Sequence, residues 1–409
     1  MKLALQRAVD RWVGIPLCAL ASGAHWMTSR IAPRRAPEPV RAIVVILLSE
    51  MGSLVLAHGM FRVLREQHPH AAIHVMLFGK NRAIVDLMGL ARPEHIHSVD
   101  DRSLGGLIRS LATGVMALRR ANVDVAIDCE LFSRISSLLS WASGAAIRVG
   151  FHRHTQEGLY RGSHMNRKVP YNPYQHIGAQ FETLARAIRS NAHPVSKLVP
   201  LKQGQEPPMV SISEQEHQAI RDRLAQDHPL ALSRPLVLVY PGGGILPIRA
   251  WPLEHYRELC KGLIDQGACV AIIGLAEDKA LAQTLVSQLG PACLDFTGYT
   301  KSIRELLALF HQARLLIAND GGPGQFAALT PLHTIMFFGP ETPALYAPLT
   351  ARTVSFYSNW PCSPCLTAYN HRQSFCDGDN QCLKAIAPQP VLDQAIALLH
   401  RAQQPQSPG

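Results

Sequence analysis

No strand-like run in these 409 residues is followed by a Walker lysine loop or by the G-x-G-x-x-G turn of dinucleotide-binding proteins, so both signatures are excluded. Nor is there an arginine-rich run with interleaved aromatics. Nucleic acid is therefore not the expected partner, although the formal charge of +10 suits an anionic one, such as nucleotide phosphate or anionic lipid. Charged residues are sparse, at 17% against 47% hydrophobic, which describes a globular chain and not a disordered one. Its length suffices for two domains, each with its own core.

A clean membrane-spanning run, which needs about 20 apolar residues, is also missing. The nearest approach is "WVGIPLCALASGAHWMTS", residues 12–29, which has no Lys, Arg, Asp or Glu but is weakened by Gly14, Pro16, Gly23 and His25. Around it Lys2, Arg7, Arg11, Arg30, Arg34, Arg35 and Arg41 outnumber Asp10 and Glu38. A basic-flanked apolar segment with two tryptophans reads as an interfacial anchor on an anionic leaflet. The alternatives are a signal peptide, with "ALASGA" as a poor cleavage site, and a helix packed on the body.

From residue 43 onward, short apolar strands alternate with helical stretches. Strand-like runs fall at 43–48, 72–78, 123–128, 236–240, 269–274, 314–318 and 333–339. Helical patterns fall around 54–64 and at 133–141, 178–190, 252–267, 277–289 and 302–312. That alternation predicts an α/β protein built on parallel sheets covered on both faces. The polar, proline-containing stretch after residue 190 marks a boundary. The expected division is an N-terminal segment 1–40, a domain 41–192, a linker 193–210, a second domain 211–388 with a cysteine-rich lobe at 360–384, and a C-terminal helix and tail 389–409. Two doubly wound domains bind ligands outside the carboxyl ends of their strands, in the cleft they face.

The loops after those strands carry the chemistry. "YPGGGILPIRAWP" offers Gly242, Gly243 and Gly244 for close backbone approach to an anion, with Arg249 as a forked cation; a plain flexible turn is the alternative. Pro252 is placed to open the next helix. In "IANDGGPGQFAAL", Asn319 and Asp320 precede Gly321, Gly322 and a helix start whose free amides suit a phosphate. Asp320 would cap that helix or accept hydrogen bonds from sugar hydroxyls. Glu277, just past strand 269–274, is either a favourable first-turn charge or a ribose ligand. "LSEMGSLVLA" ends a strand on Glu50, Gly52 and Ser53.

In order, "SEMGSLVLAHGMFRVLREQHP", "VDVAIDCE", "YPGGG…IRAWPLEHYREL", "GLAED" and "FTGYTKSIRELLALFHQARLLIANDGGPGQFAALTPLHTIMFFGPETPALYAPL" resemble glycosyltransferase family 9, the ADP-heptose:lipopolysaccharide heptosyltransferases. The resemblance spans roughly residues 41–400. It implies a GT-B fold of two Rossmann-like domains, with nucleotide sugar on the C-terminal one and acceptor on the N-terminal one. It further implies an inverting, metal-independent transfer. Arg249 stands where the family has the lysine of K-x-W-P that contacts the donor phosphates, followed by matching Trp251 and Pro252. Arg for Lys keeps the charge and changes the geometry. Glu277 matches the acid that holds the ribose. Asn319, Asp320, Gly322 and Pro323 match N-D-S-G-P-M-H, whereas Gly321 replaces its serine and Gln325 its histidine.

The family's S-x-x-G-D aspartate, the acceptor base, is here Ser53. Glu50 is the nearest carboxylate on the same turn, and a desolvated setting would raise its pKa toward a useful range. It is thus the candidate relocated base, with Asp128 and Glu130, after strand 123–128, in reserve; the alternative is an ordinary helix-start glutamate.

Of nine cysteines, Cys18, Cys129, Cys260, Cys269 and Cys293 stand singly in apolar surroundings and read as packing residues. Cys362, Cys365, Cys376 and Cys382 read as a structural zinc or iron site in a reducing compartment, with two disulfides or free thiols as alternatives. "DGD" at 377–379 mimics a metal-binding D-x-D but lacks a preceding strand.

The expectation is a cytoplasmic glycosyltransferase, peripheral on the inner face of the membrane. It would move a sugar from a nucleoside-diphosphate sugar, an ADP-sugar by resemblance, to a hydroxyl of a lipid-linked saccharide without a catalytic cofactor. An epimerase acting on the same donor and a non-catalytic binding subunit are the rivals.

Overall fold

The structure is a computed structural model that describes residues 3–31, 37–48, 50–153, 158–190, 206–370 and 372–401. Ser49, residues 193–205 of the expected linker and residues 402–409 of the tail lie outside these. The chain forms two compact units: residues 1–203 with Thr367–Gln373, and 204–366 with Ser374–Gly409.

The first unit holds strands β1 (Ala42–Ile46), β2 (Ala72–Phe78), β3 (Ile96–Val99), β4 (Val125–Asp128), β5 (Ile147–Phe151) and β6 (Arg167–Val169). They make one sheet in the order β3-β2-β1-β4-β5-β6, every pair parallel. The second unit repeats the plan with β7 (Leu236–Tyr240), β8 (Cys269–Gly274), β9 (Cys293–Thr297), β10 (Leu315–Asn319), β11 (His333–Phe338) and β12 (Thr353–Tyr357). Its order, β9-β8-β7-β10-β11-β12, is the same pattern, again all parallel. This is the doubly wound order of dinucleotide-binding folds, without their glycine fingerprint. The central strands β1, β7 and β10 are buried at every residue, as required of parallel strands with helices on both faces.

Each sheet therefore has one switch point, between β1 and β4 in the first unit and between β7 and β10 in the second. Loops leaving adjacent strands there diverge to opposite faces, which opens a crevice at the strands' carboxyl ends. Every loop singled out for donor or acceptor chemistry follows one of these four strands or β8.

The apolar N-terminal segment is helical: α1 (Leu3–Trp12) and α2 (Gly14–Ile31). It packs on the first unit through Gly14, Cys18 and Ala21 of α2, which are buried. No helix among the described residues is long and apolar enough to cross a membrane. Within the expected cysteine lobe, 360–384, Cys362, Cys365, Cys376 and Cys382 belong to the second unit and the intervening residues 367–373 to the first.

Candidate functional site

In the second unit, β10 ends at Asn319, whose side chain is fully used inside the protein. Its Nδ2 donates to Pro241 O (2.9 Å) and Gly242 O (3.0 Å), and its Oδ1 accepts from Trp251 N (2.9 Å) and the Tyr256 hydroxyl (2.9 Å). Asn319 thus ties the glycine loop and the Trp251 turn to β10, and positions the ligand-facing groups around it. Trp251 is locked as well: its indole N–H donates to Ile386 O (3.0 Å), and its ring stacks on Phe337 at 4.3 Å. Pro252 precedes the next helix, Leu253–Asp265, as its N-cap, one residue earlier than expected.

The loop needs its glycines. A Cβ on Gly243 would sit 2.7 Å from Pro247 Cα and 2.8 Å from Leu246 O, both backbone atoms, and Gly244 has φ +58°. Held this way, the loop delivers Arg249 into a nest of two carboxylates. Its Nε faces Asp320 Oδ2 at 3.5 Å, and its Nη2 meets Glu341 Oε1 at 2.9 Å. Both acids are nearly buried, at 9% and 3% side-chain exposure, against 14% for Arg249. Among the described residues neither Arg249 Nε nor Asp320 Oδ2 has a hydrogen-bond partner, so those two groups meet through charge alone. Burial pushes the Glu341 carboxyl up to about 7 against the pull of Arg249, and Asp320 adds to the rise. Asp320 is itself raised by burial.

Several sequence expectations are refined here. Asp320 does not cap the following helix, Gly322–Ala327, which has no side-chain cap; it faces Arg249 instead. Gly321 is extended and Gly322 begins that six-residue helix. Gln325 is buried, and its amide donates to Tyr346 O (2.7 Å), so it braces the neighbouring turn. Glu277 stands exposed on the same edge, in a single 3-10 turn after β8. Glu341 was missed: it follows a Gly-Pro turn after β11, where no periodicity marks a carboxylate.

In the first unit, the end of β1 is pinned from both sides. Leu48 N donates to Glu130 Oε1 (2.6 Å), and Leu48 O accepts from Asn81 Nδ2 (2.7 Å) and Phe78 N (3.2 Å). Beyond it Glu50 is the N-cap of helix α3 (Met51–Leu56), but its side chain makes no capping bond. Its Oε2 accepts from the Ser53 hydroxyl (3.1 Å), and its Oε1 is ion-paired with Arg372. The side chain is 38% exposed, so Glu50 sits in a charged, partly solvated setting and not in the desolvated one expected. Arg372, which belongs to the 367–373 stretch of this unit, was not anticipated either.

Asp128 is fully buried and paired with equally buried Arg161, which also donates to Ser136 Oγ (3.0 Å), Glu130 O (3.0 Å) and Phe151 O (3.2 Å). Burial pushes the Asp128 carboxyl up to about 6 despite that arginine. With no exposed surface it cannot touch a substrate, whereas Glu130, which holds Leu48 N, and Glu50 are both partly exposed. Removing either member of a buried pair like Asp128–Arg161 costs about 3–5 kcal/mol.

Cys382 lies in a short helix, Gln381–Lys384, and turns into the core of the second unit, where burial pushes its thiol up to about 11. Cys362, Cys365 and Cys376 lie near enough to Cys382 to raise its thiol further. Cys362 and Cys376 are exposed. Cys365 Sγ lies 3.1 Å from Ser374 Oγ. Among the described residues no group of three or more His, Cys, Asp or Glu is placed to hold a metal ion. All nine cysteines are thiols, and the five single ones are buried as packing residues. In "DGD", Asp379 pairs with Lys384 and Asp377 accepts from Asp379 N (2.9 Å), which makes it a closed turn.

The chain is similar to lipopolysaccharide heptosyltransferase 2 of Salmonella typhimurium, 24% identical over 374 residues, covering 87% of this chain and 98% of that protein. Among solved structures it is similar to the ADP-heptose lipopolysaccharide heptosyltransferase II of E. coli (TM-score 0.67, 22% identity, 89% of this chain and all of that one). It is also similar to E. coli heptosyltransferase WaaC with ADP-2-deoxy-2-fluoro heptose (TM-score 0.59, 16% identity, 87% and 99%). Those likenesses agree with the fold found here, GT-B. Residues 114–375, more than half of the chain, match glycosyltransferase family 9 (heptosyltransferase), and the chain belongs to that family of glycosyltransferases.

Proposed function

We propose that this chain transfers a heptose-like sugar, with inversion, from an ADP-sugar to a hydroxyl of a lipid-linked saccharide at the cytoplasmic face of a membrane. One observation carries the reading: Arg249, fixed by the glycine loop at the second unit's switch point, has its guanidinium held beside two buried acids. A guanidinium held there meets the negative charge that grows on the departing diphosphate, the kind of interaction that dominates catalysis of group transfer. The backbone of Gly242–Gly244 and the turn at Gly321–Gly322 line the same strand ends, and Glu277 stands beside them for a ribose. Asp320, facing Arg249, would tune that guanidinium. The relatives named above supply heptose and ADP as the expected donor parts.

In the first unit Glu50 is the proposed base. As the acceptor oxygen bonds to the anomeric carbon, the bond from that carbon to the phosphate oxygen breaks, and the hydroxyl proton passes to Glu50, directly or through Ser53. Until that proton arrives Arg372 holds the carboxylate in place, and no metal or cofactor enters the step.

Thermal shift with ADP, UDP, GDP and CMP tests the donor pocket. ADP alone should stabilise the protein, and Arg249→Ala should weaken ADP by about 10- to 100-fold, the worth of a lost charged hydrogen bond. Glu50→Gln should keep the ADP shift while lowering transfer by about 10²–10⁴-fold. A preference for UDP or GDP discards heptose as the sugar. An intact ADP shift with no transfer, indifferent to Glu50→Gln, makes the chain a nucleotide-binding subunit.

A further inference from the structure

Helix α2 buries only a narrow seam of small residues, Gly14, Cys18 and Ala21, against the first unit. Turned away from that seam is a second stripe at helical spacing: Val13, Leu17, Leu20, Met27 and Ile31, all exposed, with Leu20 at 70% and Ile31 at 84%. Trp12 and Trp26 flank it, each with an arginine over its ring, Arg11 at 5.3 Å and Arg30 at 4.0 Å. Between those two arginines there is no charged residue. An exposed apolar stripe of this length on a soluble body asks for a partner.

The helix is not loosely attached. Asp10, at the end of α1, caps the helix Arg134–Ala142 from outside: its Oδ1 accepts from Arg134 N (2.8 Å), Ile135 N (3.1 Å) and Ser133 Oγ (3.3 Å), and its Oδ2 from Arg134 Nη1 (3.1 Å). A carboxylate there satisfies orphan amides at the positive end of a helix dipole. Ser22 Oγ accepts from Ser163 N (2.8 Å), and the Arg148 guanidinium lies 3.2 Å from the His25 ring. A Cβ on Gly14 would reach to 2.7 Å from Arg134 Cβ, so the two helices are in direct contact. The helix Arg134–Ala142 follows β4, so its capped end lies at the carboxyl edge of the first sheet, the edge that carries Glu50 and Ser53.

We infer that α2 is a foot lying in the interface of an anionic bilayer, clamped by Asp10 to the edge of the sheet where the acceptor is deprotonated. The occupant is argued from charge: the stripe is apolar, its borders are arginine and tryptophan, and the segment 1–41 carries seven basic residues against two acidic ones. Aromatic rings with a wet edge and arginines that snorkel suit the headgroup layer. The role given to the foot rests on the lipid-linked acceptor proposed above: the saccharide reaches the strand ends while its lipid stays in the leaflet.

The test is co-sedimentation of the full chain with vesicles of phosphatidylcholine alone and with phosphatidylglycerol added, beside a Leu17→Glu/Leu20→Glu variant. Both positions are exposed, so the variant folds, and its thermal shift with ADP reports that independently. The wild type should sediment with the anionic vesicles, with a blue shift of tryptophan emission from Trp12 and Trp26, and at least about 10-fold more strongly than with neutral ones. The double variant should lose that binding and keep its ADP shift. No sedimentation of the wild type, or equal sedimentation of the variant, overturns the foot and leaves the donor reading standing. Self-association of the wild type that the variant abolishes, without vesicle binding, assigns the stripe to a second copy and also overturns it. Loss of the ADP shift in both proteins instead overturns the donor reading.

Discussion

Two acids against one arginine decide how the proposed donor pocket responds to pH. Glu341 is pushed up to about 7 by burial, so between the ordinary glutamate range and neutrality the folded chain binds more protons than the unfolded one. Stability therefore falls as pH rises through that window. The groups facing this carboxyl are Arg249 and Asp320, with Tyr346 near the arginine. Asp128 contributes a slope of the same sign from the first unit. Glu341→Gln should flatten the fall in melting temperature from about pH 5 to about pH 8 without abolishing it; an unchanged slope would show that Glu341 does not titrate there. The sequence made Arg249 and Asp320 visible because each stands at a fixed distance from a strand end. It hid Glu341 and Arg372, because what makes each of them matter is a partner far away along the chain.

At the scale of elements, legibility followed burial. Strands β2, β7 and β8 lie where their continuous apolar runs place them, residue for residue. Strand β3 escaped notice because four residues with His97 and Ser98 in the middle show no apolar run. The helix Leu104–Arg120 was hidden by Gly105, Gly106 and Gly114, which lower helix propensity. The expected single helix after Glu50 is broken at Ala57 into α3 and a second helix, His58–Gln67. The glycine loop is the element on which the donor reading leans most. Gly243→Ala forces backbone against backbone and should cost about 1–3 kcal/mol by thermal denaturation, with weaker ADP binding. Gly23→Ala, where nothing lies within 4 Å of the new methyl, should instead hold or raise stability by up to about 1 kcal/mol. Equal effects at the two sites would mean that the loop is not packed as described.

Over the whole molecule, the thiols give a direct reading of how the chain is wound. Cys362 and Cys376 should react with Ellman's reagent at once in the native protein and half-buried Cys365 more slowly, while the six buried thiols should react only on unfolding. Prompt reaction of more than three would contradict the packing of both cores. The fold class was plain from alternation alone, since only parallel sheets covered on both faces use so many short, continuously apolar strands. The pairing of Glu50 with Arg372, 322 residues apart, has a consequence in time. A ribosome delivers the proposed base 322 residues before its arginine partner. A nascent first unit must therefore fold around an unfinished edge until the guanidinium that steadies it follows.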